Sequence, residues 1–232
     1  MASILHLLLI ISLPLLISLV RPILVAKQPF KFSRNGLGLT FSFGFICSGS
    51  CDSFVLAIAI MVKTNDQSTA LQVVWSANRD KLVKENATLE LKKDGNFVLT
   101  DINGTIVWST ITSGKPVSGI NLTDNGSLVL FDSENNIIWN SFDFPVDTLL
   151  PGQRLVAWQR LVSRASTYNW THSGSHFILL SPSGFSSFIE SDGIPQVYYR
   201  KGSVTINSED EEAYLQFMNG NVSLVFVFKR IN

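Results

Sequence analysis

Six Asn-x-Ser/Thr triplets, one closely spaced cysteine pair and an isolated pair of histidines are the residues whose type and spacing could do chemistry in this 232-residue sequence. The triplets start at Asn86, Asn103, Asn121, Asn125, Asn169 and Asn221. Each is an N-glycosylation acceptor pattern. Their density behind an apolar leader predicts that several carry glycans, which hold those turns at the surface. Asn121 and Asn125 are close enough that crowding leaves one of them unmodified. Cys47 and Cys51 lie in Cys-Ser-Gly-Ser-Cys. An even count in a secreted chain reads as a disulfide, with two free thiols as the alternative. His172 and His176 flank Ser173-Gly174-Ser175, and the third histidine, His6, sits in the leader. Neither the pair nor the cysteines supply enough ligands for a metal site, and no catalytic base is assigned to either histidine. No metal or cofactor is expected.

Charge and motifs narrow the function classes. Lys and Arg number 18, as do Asp and Glu, and no stretch concentrates basic side chains. The electrostatic footprint of a nucleic-acid binder is missing, so no nucleic-acid partner is expected. A neutral partner such as a sugar is compatible. No glycine-rich phosphate loop, kinase catalytic loop or Asp-Phe-Gly triplet occurs, so no enzyme activity and no kinase domain are expected of this chain. Residues 1–20 are an apolar run followed by Arg21, Pro22 and a small-residue exit at Ala26. Residues 1–26 therefore read as a signal peptide, which makes the product secreted or displayed at the cell surface. The run approaches membrane-spanning length, so an uncleaved signal anchor is the alternative.

The elements that must position these groups are strands. Residues 89–109 superpose on 120–140: Asp94-Gly95 falls on Asn125-Gly126, Phe97-Val98-Leu99 on Leu128-Val129-Leu130, and Ile106-Val107-Trp108 on Ile137-Ile138-Trp139. Trp75 precedes them at nearly the same interval, which makes a threefold repeat. Each unit reads as three short alternating strands separated by Asp-Gly, Asn-Gly or Asn-Asn turns. Because each Trp recurs beside β-branched partners, core packing about a pseudo-threefold axis is predicted over a sugar-stacking role. Phe41–Phe45 and Phe54–Ile60 read as strands of the first, least regular unit. Helix periodicity is absent after the leader, so the fold class is all-β.

The runs Val74-Trp75-Ser76-Ala77-Asn78-Arg79-Asp80, Asp94-Gly95-Asn96-Phe97-Val98-Leu99 and Ser141-Phe142-Asp143-Phe144-Pro145-Val146-Asp147-Thr148-Leu149-Leu150-Pro151-Gly152 resemble the bulb-type, mannose-binding lectin domain of plant G-type lectin S-receptor-like serine/threonine protein kinases. The resemblance implies a β-prism with a tryptophan-lined centre over residues 27–152. It also implies mannose binding through Gln-x-Asp-x-Asn-x-Val-x-Tyr, in which alternation turns every second side chain to one face. The second unit reads Lys92-x-Asp94-x-Asn96-x-Val98-x-Thr100 and keeps the central three. Lys92 only donates where glutamine also accepts, and Thr100 reaches less far than tyrosine. Residue chemistry alone reads Asp94-Gly95-Asn96 as a hairpin turn. The third unit, Thr123-x-Asn125-x-Ser127-x-Val129-x-Phe131, keeps the valine, and the motif is not placed in the first.

Residues 153–232 again alternate strand and turn, and the resemblance suggests a second, divergent or incomplete lectin-like domain. The acidic stretch Ser208–Glu212 reads as a solvated loop. The expected function is carbohydrate recognition of mannose-type glycans by a receptor ectodomain without its kinase. The alternative is a protein-interaction or dimerisation domain with degenerate sugar sites, its partner a membrane receptor or a second copy.

Overall fold

The computed structural model describes residues 23–25, 32–33, 40–47, 51–63, 69–166, 169–181, 184–201, 211–218 and 221–228. Residues 1–22 of the leader and most of the acidic stretch at 208–212 lie outside them. The described elements are antiparallel strands and a single 3-10 turn, Ser141–Asp143. The all-β expectation holds.

The first unit is built from β2 (Phe32–Ser33), β3 (Thr40–Cys47), β4 (Ser53–Lys63) and β5 (Thr69–Ser76), with β6 (Val83–Lys84) pairing β4. A short leader strand, β1 (Ile23–Val25), opens the second sheet by pairing with β7 (Thr88–Leu91), followed by β8 (Phe97–Thr100) and β9 (Ile106–Ser109). The third sheet is β10 (Gly119–Leu122), β11 (Leu128–Phe131) and β12 (Ile137–Asn140). The Cys47–Cys51 disulfide closes the β3–β4 turn.

The internal repeat extends to backbone detail. Trp75, Trp108 and Trp139 pair across the ladder with Ile58, Leu99 and Leu130, and in each unit the register shifts one residue later. Just past each tryptophan, a polar side chain captures the N–H that lies two residues before the tryptophan's ladder partner on the middle strand. Asn78 Oδ1 accepts from Leu56 N–H at 2.7 Å, Thr110 Oγ1 from Phe97 at 3.1 Å and Ser141 Oγ from Leu128 at 2.9 Å. These bonds stop the ladder at the same point three times, which makes the blocks superposable.

Alternation then sends one face of every sheet inward. The three indoles meet edge to face, with ring centroids 5.8–6.1 Å apart. That is the preferred geometry for aromatic pairs, worth about 0.5–1.5 kcal/mol each beyond area burial. Around them pack Phe41, Phe43, Phe45 and Phe54 of the first unit, Leu89, Phe97 and Leu99 of the second, and Leu122, Leu128 and Leu130 of the third. Each sheet is too small to bury its apolar face alone, so the units stabilise one another. Core packing is thus the observed role of the tryptophans.

After residue 152 the chain forms β13 (Arg154–Val156), β14 (Arg160–Arg164), β15 (Ser173–Ser181), β16 (Gly184–Ser191), β17 (Ile194–Lys201), β18 (Glu211–Met218) and β19 (Asn221–Phe228). They make two antiparallel sheets, β13-β18-β19 and β14-β15-β16-β17. Leu155 and Leu180 are buried there against Leu149, Leu161 and Phe185.

Candidate functional site

The shared register places the sugar-motif positions on the outer faces, because Val98 and Val129 sit one residue before the tryptophan partner and point the other way. By the same register the first unit reads Cys51, Ser53, Val55, Ala57 and Ala59 at those positions. The motif was not legible there because its polar residues are gone. Val55, Ala57 and Ala59 are fully buried with Ile46 and Val73, and Leu71, Leu82 and Trp170 pack over them. Trp170 is held in place by its neighbours: Asp80 N–H donates to Thr171 O at 3.0 Å, and the Asp80 carboxylate accepts from Ser173 N–H at 2.7 Å and the Ser173 hydroxyl at 2.6 Å. The first face is an internal interface.

The second unit holds its motif in the turn between β7 and β8. Lys92 N–H donates to Asn96 O at 2.8 Å, and Asp94 Oδ1 accepts from Asn96 N–H at 3.0 Å. Residues 110–115 fold back onto this turn. Ser113 Oγ donates to Asp94 Oδ2 at 2.6 Å, Thr112 Oγ1 to Gly95 O at 2.7 Å, and Thr112 N–H to Asn96 Oδ1 at 3.2 Å. The Ser113 hydroxyl, then the Asn96 amide, holds the Asp94 carboxyl below its ordinary value, so at neutral pH it is an ionised acceptor. Asp94 is exposed, Lys92, Asn96 and Thr100 are half-buried, and Val98 is only 1% exposed. Both carboxylate oxygens of Asp94 and the carbonyl of Asn96 therefore already accept hydrogen bonds from the chain itself.

Gly95 is the hinge of this arrangement. Its φ is +87°, and an added Cβ would stand 2.3 Å from the Lys115 carbonyl oxygen. Gly95→Ala is expected to lower stability by about 1–3 kcal/mol through the disallowed backbone and the clash. A thermal unfolding midpoint equal to the wild type would contradict that close approach.

In the third unit, Ser127 Oγ donates to Asn140 Oδ1, and Thr123 Oγ1 accepts from Ser127 N–H at 3.0 Å. Asn125 is exposed and Val129 buried. Asn121 pairs with Val129 across the ladder.

A second constellation explains the Asp143–Gly152 run. Trp75 Nε1–H donates to Phe144 O at 2.9 Å, and the Phe144 ring stacks on Trp139 with centroids 5.5 Å apart. Gln153 caps the run, accepting from Leu150 N–H and donating to Phe142 O. Asp147 Oδ2 lies 3.1 Å from Arg79 Nη2 and 2.9 Å from Arg164 Nε. Arg79 donates further to the carbonyls of Val162 and Ser163. Burial pulls the Arg79 guanidinium below its usual value, and Asp147 opposes that pull. Nothing in the local sequence around Arg79 and Asp147 assigns one to the other. Their only signal was that each sits in a distinctive run, separated by most of the repeat.

A family model described as D-mannose binding lectin matches residues 72–171. That stretch begins inside β5, spans all three tryptophans and ends on the Trp170 loop. Residues 72–171 are similar to D-mannose binding lectin domains. Among curated proteins, the chain is 38% identical to EP1-like glycoprotein 2 of Arabidopsis thaliana over 176 residues, which is 75% of this chain and 38% of that protein. It is 34% identical to a G-type lectin S-receptor-like serine/threonine-protein kinase of Arabidopsis thaliana, over 74% of this chain and 18% of the kinase. It is also 34% identical to the epidermis-specific secreted glycoprotein EP1 of Daucus carota, over 62% of this chain and 37% of that one. The chain spans about a third of the length of the first glycoprotein relatives it matches. Among solved structures, a Gastrodia elata mannose-binding lectin aligns at 23% identity and TM-score 0.27, covering 40% of this chain and 92% of that one. The Polygonatum cyrtonema lectin in complex with a monomannoside aligns at 21% identity and TM-score 0.21, covering 53% and 80%.

Proposed function

We propose that this chain is an extracellular carbohydrate-recognition module for mannose-type glycans, with its site on the outer face of the second unit at Lys92, Asp94, Asn96, Val98 and Thr100. One observation carries this reading. Of the three repeat faces, the second is the one that presents an exposed, ionised carboxylate beside a half-buried amide and ammonium, the chemistry that accepts from and donates to sugar hydroxyls. A hexose hydroxyl would take the place of the Ser113 hydroxyl on Asp94. Glycans on the exposed Asn86, Asn103, Asn121, Asn125 and Asn169 fit this placement, as does the secreted glycoprotein relative. The Asn221 side chain lies outside the described residues. Residues 153–232 are read as a second, divergent lectin-like domain.

The test is a glycan array probed with glycosylated, secreted protein. Asp94→Ala with Asn96→Ala is expected to weaken mannose-glycan binding about tenfold or more, since hydrogen bonds to a charged group carry 1.5–3 kcal/mol each. Unchanged binding in that variant removes the second face as the site. A second reading, a protein-interaction or dimerisation domain, is favoured by Asp94 and Asn96 already serving the 110–115 loop. It predicts a blank array and a concentration-dependent dimer by sedimentation.

A further inference from the structure

The turn joining β13 to β14 contains a residue that neither folding nor packing explains. Gln159 N–H donates to Val156 O at 3.1 Å, so residues 156–159 form a tight turn with Trp158 in its third position. Trp158 has φ +70° and is 71% exposed. Glycine or asparagine is the ordinary occupant of such a position, because a side chain there strains the backbone. The other left-handed turn residues of the chain are largely glycine, asparagine or aspartate, as that rule expects. Here the largest side chain of all is held left-handed and out in water. The conformation is enforced from both sides: Trp158 N–H donates to Leu180 O at 2.7 Å and Leu180 N–H to Gln159 O at 3.1 Å. Strain that the surroundings over-determine, on an exposed side chain, points to a binding role.

The neighbouring groups specify the ligand. Gln159 Nε2 donates to Asp143 O at 2.8 Å, tying the turn to Asp143 and Phe144. Phe144 is 53% exposed and braced from behind by its stack on Trp139. The Asp143 carboxylate is exposed, and partial desolvation holds it above its ordinary value. The Gln159–Asp143 hydrogen bond thus gathers two exposed aromatic residues and an exposed carboxylate at one junction of the fold. A pyranose ring, with one apolar face and a hydroxyl rim, suits exposed aromatic side chains beside a carboxylate acceptor.

We propose that Trp158, with Phe144 and Asp143, is a second carbohydrate-binding site outside the three repeat faces, stacking one hexopyranose unit of a neutral glycan. The proposal rests on the reading of the chain as carbohydrate-recognising, but not on the Asp94 face. The experiment titrates the full-length glycosylated protein with a mannose oligosaccharide and a panel of other neutral oligosaccharides. Wild type, Trp158→Ala, Trp158→Phe and the Asp94→Ala/Asn96→Ala double variant are compared. Trp158→Ala is expected to lose about tenfold in affinity for at least one glycan, in the presence or absence of the Asp94 and Asn96 changes, while Trp158→Phe keeps most of it. Trp158→Gly is expected to unfold no earlier than wild type, because it relieves the strained turn. Full affinity for every bound glycan in Trp158→Ala overturns this site and leaves the Asp94 face standing. Wild-type protein that binds no oligosaccharide overturns both. A large fall in the unfolding midpoint of Trp158→Gly, or loss of self-association in Trp158→Ala with glycan binding intact, also overturns it.

Discussion

Trp75→Ala is expected to reduce the unfolding free energy by about 3–5 kcal/mol, the range for truncating a large buried aromatic side chain. Trp75 makes edge-to-face contacts with both Trp108 and Trp139, so its removal opens the axis on which all three units converge. Its indole N–H also satisfies Phe144 O, and truncation leaves that carbonyl without its donor. Trp75→Phe keeps ring volume but loses the N–H, and a smaller cost is expected. Urea unfolding followed by circular dichroism measures both variants. A loss below about 1 kcal/mol for the alanine variant would mean that the units are stable separately, which contradicts a shared core.

The second large effect concerns Asp147. Its side chain is 5% exposed and that of Arg79 is 7% exposed, and Arg164 shares the same carboxylate oxygen. Removing the carboxylate strands the Arg79 guanidinium away from water and takes a partner from the partly exposed Arg164, and breaking such a buried pair costs about 3–5 kcal/mol. Asp147→Ala is therefore expected to destabilise as strongly as Trp75→Ala, for an unrelated reason. Replacing Asp147, Arg79 and Arg164 together with Leu or Met is expected to recover most of the loss, since hydrophobic replacement removes the stranded charges. The two measurements separate a desolvated charge from a packing defect. If the triple variant is no better than Asp147→Ala, the charges are not the cause. The triad also joins the end of β5 to β14, with Arg164 Nη2 donating to Val73 O at 3.3 Å. Limited proteolysis of Asp147→Ala should open the segment after residue 160 first.

The triad was invisible in the sequence because ion pairing depends on which distant loops meet. Arg79 and Asp147 are 68 positions apart, and nothing in their local patterns assigns one to the other. The hydrogen bonds that end each ladder were partly legible. Thr110 and Ser141 both stand two residues after their tryptophan, and both carry a hydroxyl. Asn78 stands three residues after Trp75 and reaches the equivalent N–H with a longer side chain, which hid the correspondence. The first unit's motif positions were similarly hidden until the ladder aligned Ala57 with Val98 and Val129.

What the sequence determined by itself was the all-β fold and its threefold plan. Strand alternation, Asp-Gly and Asn-Gly turns and a recurring tryptophan are short-range patterns, and each unit must hide its apolar face against the others. Only the tertiary structure decided the fate of the three outer faces. Trp170, far along the chain, seals the first; the 110–115 loop engages Asp94 and Asn96 on the second; Asn140 takes up Ser127 on the third. Residue type states which hydrogen bonds a side chain can make. Whether they are already made depends on which segments folding brings within 3 Å of it.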